Sequence, residues 1–409
     1  MTDHAQAIVI GGGIVGCSVL YGLTKAGWSD VTLVERLDLT AGSTWHSAGN
    51  VTYFGHYPGI TRLYADSISI YQEAEQETGQ SIGFHATGGL RLATNRDELD
   101  AYRKLAPLFA EFGIGYRVVT PDEVAELHPL LDTSDILGAA HTMGDGHVDP
   151  SGATLALAAS ARARGATIVQ QCPVNGLARR GDGIWEVSTD QGVMTAHTVV
   201  LAASFWSREL AAPLGLDLPL YAMEHQALVT EAVPEIEALD FELPTVRDPY
   251  PPANVRQEGN GLITGIYESA PKFWAIDGAP RDFGRELFGA DLERLESHLL
   301  KLIGRLPAFG RAGIKTVVNG PICYTPDGNP LLGPVPSLPG LWLANGFCIG
   351  IGTGGGAGDY LARWMIEGAP PYAIDGIEPD RFGPAMTQDK ALATILDTYT
   401  AGYALHLPD

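Results

Sequence analysis

Two histidines carry most of the chemistry legible in this chain. His46 stands in Ala41-Gly42-Ser43-Thr44-Trp45-His46-Ser47-Ala48-Gly49, a stretch rich in small residues, eleven positions beyond Glu35. A neutral imidazole there is a nucleophile, and its small neighbours let the backbone come close to a ligand. The alternative is a loop histidine satisfied by backbone groups. His225, in Met223-Glu224-His225-Gln226-Ala227-Leu228-Val229-Thr230, opens a strand-like segment. Histidine suits proton transfer near neutral pH, and a ring packed on a sheet is the competing reading. Tyr267 is a second candidate for that role. Arg256 and Arg91, also on strand-like segments, offer guanidinium forks for a carboxylate, or else form surface pairs.

The elements that must position these groups begin at the N-terminus. Ala7-Ile8-Val9-Ile10 is an apolar run suited to a buried parallel strand. It leads into Gly11-Gly12-Gly13-Ile14-Val15-Gly16, a G-x-G-x-x-G pattern, then an apolar helix to about Ala26 and a stop at Gly27. A second strand, Val31-Thr32-Leu33-Val34, ends at Glu35. Gly11 permits the tight turn, Gly13 lets a pyrophosphate approach, and Gly16 allows helix and strand to pack closely. Ile14 and Val15 begin the helix, whose free N–H groups face the phosphates. Glu35 accepts from ribose hydroxyls, which disfavours a 2′-phosphate, and Arg36 beside it is a further contact. The glycine pattern alone is weak evidence; strand, glycines, helix, strand and acid in this order are strong. Cys17 packs beneath the loop.

Later segments favour FAD over NAD. Thr167-Ile168-Val169, Trp185 to Thr189 and Thr198 to Ala203 read as strands, the last running into a helix start at Phe205-Trp206-Ser207. Val174, Ala203 and Trp206 are cofactor contacts in this part. Leu341 to Ala344 leads into the glycine-rich run Gly350 to Gly358, followed by a helix over Asp359 to Glu367. Gly350, Gly352, Thr353 and Gly354 would set backbone donors beside an anionic reduced flavin. A nucleotide region rebuilt from separated segments around a long insertion suits FAD, and it brings His46, with Ser43, Thr44, Ala48 and Gly49, toward the isoalloxazine end.

Composition narrows the setting. A chain of 409 residues predicts two domains, with interleaving allowed. Hydrophobic content of 45% against 18% charged residues predicts a large core rather than disorder. A net charge of −22 argues against nucleic acid or an anionic membrane as partner. The cysteines, Cys17, Cys172, Cys323 and Cys348, are widely spaced without a CxxC, so neither a disulfide framework nor a zinc site is expected. His141, Asp145, His147 and Asp149 superficially resemble a metal cluster. Their intervening glycines and Asp149-Pro150-Ser151 read instead as a turn and helix cap, so no metal is expected there. The start lacks a basic region and the first apolar stretch is broken by glycines, so neither a signal peptide nor a membrane span fits. A soluble cytoplasmic protein is the expectation.

With these residues in hand, the chain resembles the glycine/D-amino-acid oxidase superfamily, and within it the dimethylglycine dehydrogenase and sarcosine dehydrogenase group. The stretches that carry this are Leu39 to Gly49, continued by Glu77-Thr78-Gly79-Gln80 and Gly83-Phe84-His85; Asp145 to Gly152; and Asn319-Gly320-Pro321, Thr325 to Pro334 and Ala344-Asn345-Gly346-Phe347. The resemblance implies an α/β Rossmann-like FAD domain interleaved with an α+β substrate domain on a mostly antiparallel sheet. Segments 1–90, 148–215 and 321–375 would form the first, 91–147 and 216–320 the second, with 376–409 a C-terminal tail.

It further implies that His46 carries FAD covalently through the flavin 8α carbon, and that His225 lines the active site, with Tyr324 a substrate contact. Cys323 lies one position from the attachment cysteine of monomeric sarcosine oxidases and reads as packing. The implied activity is oxidative demethylation of dimethylglycine to sarcosine and formaldehyde by hydride transfer to flavin. Sarcosine or another N-methylamino acid is the nearest rival, and a non-catalytic regulatory subunit is the reading from another class. Family members usually continue into a folate-binding domain, which is not expected in this chain, so formaldehyde would be released or passed to a separate folate-binding protein. An aromatic pair usual before the Arg-Glu or Arg-Gln of one strand is absent, since here that strand reads Pro252-Ala253-Asn254-Val255-Arg256-Gln257-Glu258, with Tyr250 or Tyr267 as possible substitutes. The strand Gly261 to Tyr267 has no lysine of the kind that activates oxygen in monomeric sarcosine oxidases. An electron-transfer flavoprotein or quinone is therefore the expected acceptor.

Overall fold

A computed structural model describes residues 4–402; the outer ends of the expected FAD region (1–3) and tail (403–409) lie outside the described residues. The strand His4–Ile10 is central to an eight-stranded sheet, parallel to Val31–Val34 on one side and Gly192–Leu201 on the other. Its alternate residues feed two cores, which explains the unbroken apolar run. Ala7 and Val9 pack with the helices Ile14–Lys25, Pro58–Thr78, Pro150–Ala163 and Gly350–Glu367, while Ile8 and Ile10 face Trp185 and Val187. Thr167–Val169 extends one edge; Leu341–Asn345 and Leu331–Pro334 extend the other.

A second sheet of nine strands carries the insertion. Its pairings are antiparallel except where Thr245–Pro249 runs parallel to Gly89–Ala93. The chain is thus an α/β nucleotide unit interleaved with a mostly antiparallel α+β unit. The expected divisions at 90/91 and 320/321 fall inside the strands Gly89–Ala93 and Ile314–Tyr324, both of which belong to the second sheet. Among the described residues no helix is long and apolar enough to cross a membrane.

Two segments differ from expectation. The helix expected from Asp359 starts at Gly350, so the glycine run is itself helical. Glycine within a helix costs about 1 kcal/mol against alanine, but here it permits close contact with the helix Pro58–Thr78: Gly355 N–H donates to Tyr71 Oη and Gly356 N–H to Ser67 Oγ. The tail contains the helix Gln388–Ala401, whose Ala391, Ile395 and Tyr399 are buried with Tyr221, Met223 and Tyr324. It is a wall of the substrate side.

Candidate active site

Between the two sheets lies a cavity of about 620 Å³, within the usual range for small-molecule sites. At one end is the glycine turn. Gly11 has φ +113°, a left-handed conformation that disfavours any side chain, and a Cβ there would lie 2.4 Å from Ala202 O. A Cβ on Gly16 would lie 1.9 Å from Gly11 O, so the turn closes only over bare backbone. Gly11, Gly13, Ile14 and Val15 line the cavity; Gly16 does not, and serves the turn behind it. The N–H of Ile14 is held by Thr44 Oγ1 at 3.1 Å, which ties the loop bearing His46 to the helix start.

Glu35 also lines the cavity, its carboxylate accepting from Gly12 N at 2.6 Å and Leu37 N at 2.8 Å, with burial raising its pKa. Arg36 stacks 3.8 Å from the Trp206 ring and donates to the carbonyls of Arg281 and Phe283, closing this end against the substrate region. Val174, Ala203 and Trp206 line the cavity too, as do Gly350 and Gly352 of the second glycine-rich helix, Gly352 lying against Tyr64. Thr353 and Gly354 do not: Thr353 Oγ1 turns back to Ile349 O, and Gly354 packs on Ile14 and Val15.

His46 occupies the middle. Its ring lies on Gly320, where a Cβ would come within 2.6–2.8 Å of three ring atoms. Ser43 Oγ donates to Pro321 O at 2.8 Å, and Ser43, Ala48 and Gly49 line the cavity beside it. His46 Nε2 is buried without a hydrogen-bond partner among the described residues, and burial holds the imidazole down to about 4. Such an orphaned nitrogen calls for a partner that the protein does not supply. A bare-backbone clasp, an acid at the second strand and a neutral imidazole at mid-cavity together fit FAD. The glycine turn would hold its phosphates, Glu35 its ribose, and the His46 loop the edge of its ring system. Cys323 also lines the cavity, but burial pushes its thiol up to about 12, which suits packing rather than nucleophilic attack.

The far end is made of side chains. His225 Nδ1 lies 2.8 Å from Tyr399 Oη, leaving Nε2 for the cavity, where a Cβ on Gly265 would lie 3.2 Å away. Burial, with His46 nearby, holds His225 down to about 4, so it is neutral at pH 7, rather than titrating near neutrality as expected of it. Tyr267 lines the cavity with its ring centroid 5.0 Å from His225, and Tyr324 lines it as well. Tyr250 is surface-exposed, with Lys301 over its ring, so it does not supply the missing aromatic. Asn254 does line the cavity, accepting from Asn50 Nδ2.

Of the two arginines singled out from sequence, Arg91 lines the cavity, 4.1 Å from the Phe54 ring. Arg256 does not: it donates to Ala48 O at 2.9 Å and pairs with Glu258, bracing the His46 loop from behind. The guanidinium beside Arg91 in the wall is Arg247, opposite it in the parallel register. Its Nη1 makes no hydrogen bond among the described residues and is 3.8 Å from Asp145. Sequence reasoning missed it because Thr245–Pro249, ending in two prolines' company at Pro249 and Pro251, lacks a clear strand pattern. Tyr399 was missed because nothing local links a C-terminal helix to His225.

Comparison with known proteins bears on the fold and the cofactor. The chain is 42% identical to "Dimethylglycine dehydrogenase, mitochondrial" of Mus musculus over 404 residues, 97% of this chain and 46% of that protein. It is 37% identical to "Sarcosine dehydrogenase, mitochondrial" of Homo sapiens, covering 95% of this chain and 42% of that one. It thus spans less than half the length of these relatives. The crystal structure of L-proline dehydrogenase from P. horikoshii superposes with a TM-score of 0.82 at 26% identity, covering 94% of this chain and 99% of the other. A family model described as DAO, FAD dependent oxidoreductase, matches residues 6–364, and the chain belongs to that family.

Proposed function

We propose that this chain oxidises an N-methylated amino acid, dimethylglycine foremost, to the demethylated amine and formaldehyde, with FAD held covalently through His46. The observation that carries this is the meeting of three features in one cavity: the orphaned Nε2 of His46, the neutral His225, and the paired guanidiniums Arg91 and Arg247. FAD supplies the two-electron acceptor. The protein's part is to bind, orient and desolvate the amine.

Among the described residues Asp145 is the carboxylate beside Arg91 and Arg247, and two guanidiniums on one wall suit the substrate's carboxylate. The burial that keeps His46 and His225 neutral also disfavours an ammonium, so the amine binds best once deprotonated. His225 Nε2, with Nδ1 engaged by Tyr399, is placed to accept that proton or to orient the neutral amine. Loss of two electrons and a proton from an N-methyl group leaves an iminium, which water splits into the smaller amine and formaldehyde. Asn254, on the strand where the group has an aromatic pair, lies with His225 beside Gly265. No lysine lines the cavity among the described residues, which favours an electron-transfer flavoprotein or quinone over oxygen as final acceptor.

Anaerobic mixing with a panel of N-methyl amino acids tests the reading. Dimethylglycine is expected to bleach the flavin most rapidly; no bleaching by any member would sink the proposed activity. Mass spectrometry of the denatured protein tests attachment separately, since the His46 peptide is expected to carry the flavin mass.

A further inference from the structure

A second group of donors lies outside the cavity, where the nucleotide region meets the second sheet. His85 and His147 oppose each other across a narrow antiparallel bridge: His85 N–H donates to His147 O at 2.9 Å, and His147 N–H to His85 O at 3.2 Å. Their rings stack with centroids 4.8 Å apart and planes within 13°. Glu242, just before the strand Thr245–Pro249, reaches both. Its Oε2 is 2.7 Å from His85 Nδ1 and its Oε1 is 3.0 Å from His147 Nε2. One potential ligand atom from each of the three residues lies within 4.8 Å of the other two.

The backbone holds these donors in place. A Cβ on Gly146 would lie 1.8 Å from His85 O, so the bridge forms only because residue 146 is glycine. Gly88 N–H donates to Asp145 O, and Thr245 N–H to Gly88 O, fixing the chain on either side of all three residues. Asp145 and Asp149, neighbours of His147 in sequence, are occupied elsewhere: Asp145 accepts from Thr52 and Tyr53, and Asp149 caps the helix Pro150–Ala163. The side chain of His147 is 12% exposed, that of Glu242 31% and that of His85 51%, so an ion has access from the His85 side.

We propose that His85, His147 and Glu242 bind one Zn²⁺ ion. Two imidazoles and a carboxylate form a three-ligand zinc set, with a fourth position left for water on the open side. Ligands about 2.0–2.1 Å from a tetrahedral ion stand roughly 3.4 Å apart; the carboxylate–imidazole spacings lie near this, while the stacked rings must turn toward each other to aim both lone pairs at one ion. The ion would join three segments: residues 82–88, the strand Gly146–His147, and the approach to the strand bearing Arg247. His147 pairs with Asn50, four residues beyond His46, so the ion would brace the floor of the substrate end without touching the cavity.

The test uses the untagged full chain, stripped with chelator, re-equilibrated with Zn²⁺ in modest excess and passed through gel filtration. Elemental analysis is expected to find one zinc per chain, and Zn²⁺ to raise the thermal midpoint. His85→Ala and Glu242→Gln, both at partly exposed side chains, are expected to lower affinity about tenfold or more and to abolish the zinc-dependent rise while the metal-free midpoint shows that they fold. Equal zinc retention by the native chain and both variants would overturn the proposal. So would no retention by the native chain, which would leave the three residues as a hydrogen-bonded clip.

Discussion

The two ends of the cavity are built by different means. The nucleotide end is almost all backbone: a turn with no room for a Cβ at Gly11 or Gly16, a helix start, and an acid 19 residues beyond Gly16, within one continuous stretch. The substrate end is almost all side chain: Arg91, His225, Arg247, Asn254, Tyr267 and Tyr399 arrive from distant strands and the C-terminal helix. A site made of backbone depends on shape, so one added carbon harms everything at once. A site made of side chains should lose its functions separately and by degrees.

The sharpest challenge to that contrast is Gly16→Ala, whose Cβ would collide with Gly11 O at 1.9 Å. Visible absorbance per chain should show loss of most bound flavin, and thermal melting a cost on the order of several kcal/mol. A yellow, equally stable variant would remove the distinction between the two ends. At the other end, His225→Gln should keep its flavin while kcat falls about 10²–10⁴-fold. Unchanged turnover would show that the imidazole only packs.

The same histidines predict an acid sensitivity. Their folded pKa of about 4 lies below the ordinary histidine value of 6.5, so the unfolded chain takes up protons first as pH falls. The stability they permit is therefore complete above pH 6.5 and declines toward pH 4. Melting curves should show that decline in flavin-free protein, and a shallower one in His225→Gln. Arg247→Met should raise KM about 10–100-fold for a carboxylate-bearing amine, the equivalent of one charged hydrogen bond, and far less for the same amine lacking the carboxylate. Equal effects on both amines would move Arg247 out of the binding role. Tyr399→Phe should have the mildest effect, about three- to tenfold on kcat with KM little changed. Because Tyr399 acts through His225, the acid limb of the kcat profile should shift; an identical loss at every pH would reduce it to packing.

The contrast also sorts what could be read from residue order. The nucleotide unit was legible because its parts are consecutive and each residue type has a local physical reason. The glycine run at 350–358 was recognised as a helix start, but its helical body was not, since tolerance of glycine there comes from Tyr71 and Ser67 on another helix. Arg256 stands out as a strand arginine, yet only folding shows that it braces Ala48 while Arg247 lines the wall. The run from His141 to Asp149 reads as turn and cap, and Asp149 does cap its helix; among the described residues the donors gathered around His147 are His85 and Glu242, 62 and 95 positions away.

The sequence by itself determined the dinucleotide unit, the interleaving of two sheets, and His46 and His225 as the residues to examine. The dinucleotide unit and His46 rest on spacing within one element or between neighbours, where chain geometry leaves little freedom; the interleaving rests on the resemblance to a known family. The tertiary structure decided which arginines share a wall, which tyrosine holds His225, and which nitrogen of His46 is left without a partner. Such contacts join residues through packing of whole elements, and no local pattern specifies them.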